Sequence, residues 1–413
     1  MSFVKLLENV YWIGKVDDRK VPFHRLILEK GTTYNSYLLL TDKPTVIDTV
    51  DMMYGKEYVD NLSKLINPEK IEYIVINHVE PDHAGALPAL AAKAKNAKIV
   101  ATELAVKLLG DMFRLHQREF ITVKDGDTLD IGGKVLKFIE TPYLHTEETM
   151  ITYSIEDGFL YPCDLFSTHI ATFDLFNDLV NDSIYLEDFK VYYKLIMSSH
   201  RPYVRDMLNK IKNLDIKLIA PSHGFILRSN PARFIDLYDE MSSLKESSKK
   251  VVIAYSSMTG NTAKIAQKLS EGLKSTGVEA TIFNLKNADL EDLKLKIAES
   301  DGLLVGSSTK YGDMVGNTEE FLKSIQGYDN SNKLAAAFGS YGWSGEAIVY
   351  VEDYLNDAGF KVINQKYMIT GQGMDAPLLP LRIKFTNTED LDRASSAGRV
   401  FGEQILTNSL LVD

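Results

Sequence analysis

A polar, serine-rich run, Ser242-Ser243-Leu244-Lys245-Glu246-Ser247-Ser248-Lys249-Lys250, divides the sequence into two stretches of different rhythm, and this break constrains the fold most. After it, apolar strand-like segments alternate with amphipathic ones. The strands are expected at Val251–Tyr255, Ala280–Asn284, Gly302–Gly306, Lys333–Phe338 and Lys361–Ile369. Helices are expected from Thr262 and over Leu290–Ala298, Thr318–Ile325, Glu346–Ala358 and Thr388–Leu406. Such alternation predicts an α/β domain built on a doubly wound, parallel, five-stranded sheet. Before the break the pattern is α+β: short strands at Val10–Ile13, Leu26–Leu28, Asn35–Leu40, Thr45–Ile47, Ile71–Ile76, Lys98–Ala101, Phe120–Val123, Lys134–Glu140 and Met150–Ser154, with helices between. Mixed blocks of this kind predict an αββα sandwich. Two domains are therefore expected, residues 1–248 and 249–413.

A single cysteine, Cys163, excludes an intrachain disulfide, a CxxC zinc site and a cysteine-ligated iron–sulfur or rubredoxin-type centre. A chain that moves electrons with this composition must hold them on something other than sulfur. The net charge is −11, and the stretch from Val251 onward carries 15 basic against 21 acidic residues, so neither half suits a nucleic acid or an anionic membrane. The first residues lack an uninterrupted apolar segment, and no run approaches the ~20 apolar residues of a membrane span. A reducing cytoplasm is the expected location.

Asn77-His78-Val79-Glu80-Pro81-Asp82-His83 places two imidazoles and two carboxylates just beyond an apolar strand. A lone histidine is usually a packed or surface side chain, but four metal-binding groups at one strand end have no other common reason to cluster. His145, Asp164 and His223 each follow an apolar segment and complete the set: four His, two Asp and one Glu. His116 and His200 read as ordinary polar residues, and Cys163 as a small apolar filler.

In the second half, Ser256-Ser257-Met258-Thr259-Gly260-Asn261-Thr262 joins a strand to a helix. Backbone N–H groups and the helix dipole there suit a phosphate monoester, and Ser257, Thr259, Asn261 and Thr262 add uncharged donors. No lysine follows Gly260, which disfavours a nucleoside triphosphate. Two further loops fall at the carboxyl edge of the sheet. One carries Ser308, Thr309, Lys310, Tyr311 and Gly312; the other carries Ser340, Tyr341, Gly342, Trp343 and Gly345. Their glycines let the backbone approach a flat ring, and their aromatics offer stacking faces.

The order HxExDH, His, Asp, SHG resembles the metallo-β-lactamase fold, with Glu80 where its hydrolytic members usually have histidine. A carboxylate there makes the site harder and more anionic, which favours iron. Ser257 to Thr262 resembles the flavodoxin loop that holds the FMN phosphate. Together the two halves resemble the flavodiiron proteins, or A-type flavoproteins. The resemblance implies that His78, Glu80 and His145 hold one iron of a non-haem diiron pair, that Asp82, His83 and His223 hold the other, and that Asp164 bridges them. It implies reduction of dioxygen to water, nitric oxide to nitrous oxide, or both, with electrons passing through FMN.

The resemblance further implies a head-to-tail homodimer, or a dimer of dimers, in which the flavin of one subunit serves the irons of the next. No rubredoxin-like or NADH-binding extension is seen, so the donor is expected to be a separate rubredoxin-like protein or a reduced soluble cofactor. Many members follow the histidine at 145 with Trp-Pro-Asp; here Thr146-Glu147-Glu148 stands instead, which bears on substrate preference. His24 and His169 are candidates to line the pocket. The competing readings are a binuclear metallohydrolase with a fused flavodoxin-like module, against which Glu80 and the FMN loops argue, and a non-catalytic FMN electron carrier, against which the complete ligand set argues.

Overall fold

The computed structural model describes residues 3–20, 22–23, 26–243, 249–363, 379–384 and 386–408. It separates into two compact units, Met1–Ser243 and Leu244–Asp413.

In the first unit two sheets lie back to back. The larger runs in the order Val4–Leu7, Val10–Trp12, Tyr37–Leu39, Thr45–Ile47, Tyr73–Val75, Lys98–Thr102, Phe120–Val123. The smaller runs Thr128–Asp130, Val135–Glu140, Met150–Ser154, Phe159–Tyr161, Leu218–Ile219. Alternation along each strand decides the layers, because successive side chains point to opposite faces. Tyr37, Leu39, Tyr73 and Val75 of one sheet pack with Leu136, Phe138, Phe159 and Tyr161 of the other. Their neighbours Leu38, Val46, Ile74 and Ile76 turn outward and are covered by Tyr58, Val59, Leu62, Leu87 and Leu90 of the helical layer. On the far side Ile139, Ile151 and Leu160 are covered by Phe189, Val204, Met207 and Phe234. The result is the expected αββα sandwich. Both buried faces explain why Tyr73–Val75 is apolar at every position.

The second unit is a parallel sheet ordered Glu279–Asn284, Lys250–Ser256, Gly302–Ser307, Leu334–Ser340 and a fifth, edge position. Val251, Ile253 and Leu304 face the helices Asn261–Ser275 and Thr388–Asn408, while Val252, Ala254 and Val305 face Leu290–Ala298, Thr318–Ser324 and Ala347–Asp357. The edge departs from expectation. The strand expected over Lys361–Ile369 is described only as Lys361–Val362, and residues 364–369 lie outside the described residues. The rest of the position is filled by Leu381–Ile383, which pairs with Phe338–Ser340 while Lys361 and Val362 pair with Leu334 and Ala335. Among the described residues no helix is long and apolar enough to cross a membrane.

Candidate functional site

The strand Tyr73–Val75 continues into segment 78–83 through a clamped residue, Asn77. The Asp48 carboxylate accepts from the Asn77 backbone N at 2.7 Å and from its side-chain amide at 2.9 Å. Asn77 Oδ1 in turn accepts from Thr152 Oγ1 of the opposite sheet at 2.7 Å. Pro81 then opens the short helix Pro81–Ala84, a position that tolerates proline because its N–H would have no helical partner. His145 arrives from Val135–Glu140 across a turn, and its peptide bond to Leu144 is cis. Asp164 follows Phe159–Tyr161, and His223 follows Leu218–Ile219.

All seven side chains singled out in the sequence come together. His78 Nε2 and His145 Nε2 lie 3.4 and 3.7 Å from Glu80 Oε2. His83 Nε2 and His223 Nε2 lie 3.1 and 3.2 Å from Asp82 Oδ2. Asp164 stands between these groups: its Oδ2 is 3.8 Å from His78 and 3.4 Å from His145, and its Oδ1 is 3.4 Å from His83 and 3.3 Å from His223. One carboxylate thus addresses two trios with its two oxygens.

Partners behind the rings fix their orientation. His78 Nδ1 donates to Glu148 Oε1 and His223 Nδ1 to the Thr33 carbonyl, each at 2.7 Å; His83 Nδ1 lies 3.5 Å from Cys163 Sγ. With Nδ1 engaged, Nε2 is the atom each ring offers inward. The Nε2 atoms of His78 and His83 and Oδ2 of Asp82 are buried with no hydrogen-bond partner among the described residues. Burying such groups unsatisfied costs ~1–3 kcal/mol each, and cations bound to their lone pairs would remove that cost. Nitrogen and carboxylate donors with no thiolate suit a redox-active iron pair.

Burial disfavours charge on His78, Glu80, Asp82, His83, Glu148, Asp164 and His223, and their mutual attraction overcomes it. His83 and His223 hold Asp82 and Asp164 well below the usual carboxylate range. Glu148 and Glu80 hold His78 well above the usual imidazole value, and Asp82 and Asp164 do the same for His83. Glu148, equally buried, is brought down to about 2 by His78. The histidine protons supply positive charge that bound metal would supply instead.

Several further residues stand next to the site, and the contacts of Glu148, Tyr192, Cys163 and His200 were not foreseen. Glu148 turns inward behind His78, whereas Glu147 is exposed. Tyr192 donates to Asp164 Oδ1 at 3.0 Å. Cys163 is buried as expected, yet it also touches His83. His200, read from sequence as ordinary, is buried with its ring 6.5 Å from that of His145. His169 lies beside the site, its ring 4.9 Å from that of His223 and its Nδ1 2.9 Å from Thr32 Oγ1. His116 is exposed, and His24 lies outside the described residues.

In the second unit the three loops meet on one hydroxyl. Thr262 Oγ1 is 3.0 Å from Ser308 Oγ and 2.8 Å from Ser340 Oγ, and Ser308 Oγ also accepts from the Met258 backbone N. Gly260 precedes helix Asn261–Ser275 at φ +83° with open space where a side chain would stand, and its N–H donates to Ser257 Oγ. Asn261 Nδ2 donates to Thr259 Oγ1. A cavity of about 470 Å³ is lined by Met258, Lys310, Tyr311, Asp313 and Gly316. Tyr311 is 93% and Trp343 94% exposed, and Tyr341 packs beside Gly345. Two large aromatic rings standing in water at this edge fit a planar ligand.

Residues 32–224 match the model of the ODP family beta lactamase, and residues 253–398 match that of flavodoxin. The anaerobic nitric oxide reductase flavorubredoxin of Aeromonas hydrophila is 37% identical over 366 residues, covering 87% of this chain and 74% of the relative. The flavodiiron protein of Giardia intestinalis superposes with a TM-score of 0.59 at 29% identity, covering 100% of this chain and 98% of that one. The rubredoxin oxygen:oxidoreductase of Desulfovibrio gigas superposes with a TM-score of 0.58 at 28% identity, over 98% of this chain and 99% of that one. Both sites, their order along the chain and these similarities agree: the chain belongs to the flavodiiron protein family.

Proposed function

We propose that the chain is an oxidoreductase that reduces dioxygen to water, nitric oxide to nitrous oxide, or both, using FMN on the second unit and a non-haem diiron pair in the first. The observation that carries this reading is Asp164, which turns one oxygen to His78 and His145 and the other to His83 and His223. His78, Glu80 and His145 would hold one iron, Asp82, His83 and His223 the other, with Asp164 between them. When bound, the metals and the flavin supply one-electron steps on a diatomic substrate. The phosphate of FMN fits Ser257, Thr259, Gly260, Asn261 and Thr262. Its ring fits the loops of Ser308, Thr309, Lys310, Tyr311, Gly312 and of Ser340, Tyr341, Gly342, Trp343, Gly345.

The chain's own contribution is to orient and to exclude. Glu148, Thr33 and Cys163 fix three histidine rings, Tyr192 holds Asp164 in place, and burial of Asp82, Asp164 and Glu148 keeps bulk water from them. Electrons come from a separate donor, a rubredoxin-like protein or a reduced soluble cofactor. We place the enzyme in the cytoplasm, where a chain with one buried cysteine needs no oxidising environment, and as a head-to-tail dimer. Metal and flavin analysis followed by anaerobic stopped-flow mixing of the reduced protein with each gas tests the reading. Iron and FMN with rapid flavin reoxidation are expected. Zinc, ester hydrolysis and a reduced flavin indifferent to both gases would overturn it.

A further inference from the structure

Three of the histidines are backed by acceptors of different chemistry. Behind His78 is a carboxylate, Glu148 Oε1, at 2.7 Å; behind His223 a neutral carbonyl, Thr33 O, at 2.7 Å; behind His83 a thiol, Cys163 Sγ, at 3.5 Å. An anionic acceptor pulls on the Nδ1 proton and leaves more electron density on Nε2, whereas a carbonyl does so less and a thiol is a weak acceptor. Glu148 is also held rigidly. Its Oε1 accepts from the Val79 backbone N at 3.2 Å, its own carbonyl accepts from Thr102 Oγ1 at 2.8 Å, and its side chain is 3% exposed. Apart from Asp164, which both trios share, the Glu80 trio therefore has two carboxylates at or directly behind it, Glu80 and Glu148, and the Asp82 trio has one.

We propose that Glu148 is a positioning residue that makes the position formed by His78, Glu80 and His145 the tighter of the two metal positions. The proposal rests on the diiron reading, but it concerns an inequality between the two positions that the reading does not contain. It acts through His78 alone: a fixed ring, a single tautomer and a stronger Nε2 donor. The Asp82, His83 and His223 position, backed by a thiol and a carbonyl, fills second.

The test is an anaerobic titration of the chelator-stripped, FMN-containing protein with cobalt(II), read by bound metal and by visible d–d bands after subtraction of the flavin spectrum. Wild type is expected to show two binding events, the first tighter. Glu148→Gln preserves shape and an acceptor for Val79 but removes the charge; it is expected to weaken the first event by ~10–100-fold, merging the two and shifting the d–d band of the first. Cys163→Ala is expected to leave the first event in place. Glu148→Asp retains the charge and is expected to keep the first event the tighter. Wild-type affinities in Glu148→Gln would overturn the proposal, as would loss of the first event in Cys163→Ala. Equal weakening in Glu148→Asp and Glu148→Gln would do so too, by making shape rather than charge the cause. Wild type that binds fewer than two cobalt ions per chain would instead overturn the diiron reading itself.

Discussion

The hydroxyl of Tyr192 donates to Oδ1 of Asp164 at 3.0 Å, the same oxygen that faces His83 and His223. Burial, reinforced by the Asp164 charge, holds the Tyr192 phenol well above its ordinary pKa, so it remains a neutral donor across the working range. Tyr192→Phe removes one hydrogen bond to a buried carboxylate and leaves the ring in place. A hydrogen bond to a charged group contributes about 1.5–3 kcal/mol, and the metal-loaded variant should lose stability of that order. Chemical denaturation alongside metal analysis checks this: both metals should remain, with the midpoint lowered. An unchanged midpoint would mean that Tyr192 does not hold Asp164.

Because the chain forms two compact units, loss of one site should spare the other. His83→Ala and Asp164→Ala are each expected to abolish metal uptake by at least one position and to remove gas-dependent reoxidation of the flavin. FMN content, read from the flavin absorbance of the purified protein, should match wild type. Flavin loss in both variants would contradict this modularity.

The seven inward-facing side chains were legible in the sequence because each follows an apolar strand, where an α/β scaffold presents polar groups. The residues that orient them were not. Glu148 reaches His78 across 70 positions, Tyr192 reaches Asp164 across 28, and Thr33 reaches His223 across 190. Such pairs are made by the meeting of the two sheets and the helices that cover them, and nothing in local periodicity encodes that meeting. Glu148 illustrates the point. As sequence it is one of two adjacent glutamates, and only the fold turns it inward while leaving Glu147 in water. The sheet edge was only partly legible for a related reason: beside Lys361–Val362 a second piece, Leu381–Ile383, pairs with Phe338–Ser340, a contact across more than 40 positions that local pattern does not encode.

Stripped of metal, the protein should lose stability as pH rises. His78, His83 and His223 have folded pKa values above 6.5; burial opposes the shift and the surrounding carboxylates outweigh it. Groups raised in this way contribute stability that is complete below the unfolded value and is lost as pH climbs through the folded values. On the acid side Glu148, at about 2 against an ordinary 4.5, contributes stability present above 4.5 and lost as pH falls towards 2. Melting temperatures of chelated protein should therefore fall as pH rises above about 6.5, whereas metal-loaded protein should hold or gain, since cations replace the protons. A chelated protein more stable at the alkaline end would contradict the ion pairing described for the site.

In the second unit, Thr262 and Trp343 should both matter for FMN, but only Thr262 for stability. Thr262 is fully buried, and its hydroxyl meets both Ser308 and Ser340, so Thr262→Val removes the partner that ties the three loops together, leaving Ser308 its bond from the Met258 N–H and a 3.5 Å approach to Ser340. A lost hydrogen bond between neutral groups costs about 0.5–1.5 kcal/mol, and the unit should unfold at lower denaturant as well as bind FMN more weakly. Trp343 is 94% exposed, so Trp343→Ala removes almost no packing. Its effect on stability should stay within ~0.5 kcal/mol, while FMN affinity, followed by quenching of flavin fluorescence, should drop because a stacking face is gone. Metal content should be unchanged in both. If Trp343→Ala binds FMN as tightly as wild type, that ring does not contact the flavin, and the exposed edge of the sheet must be read differently.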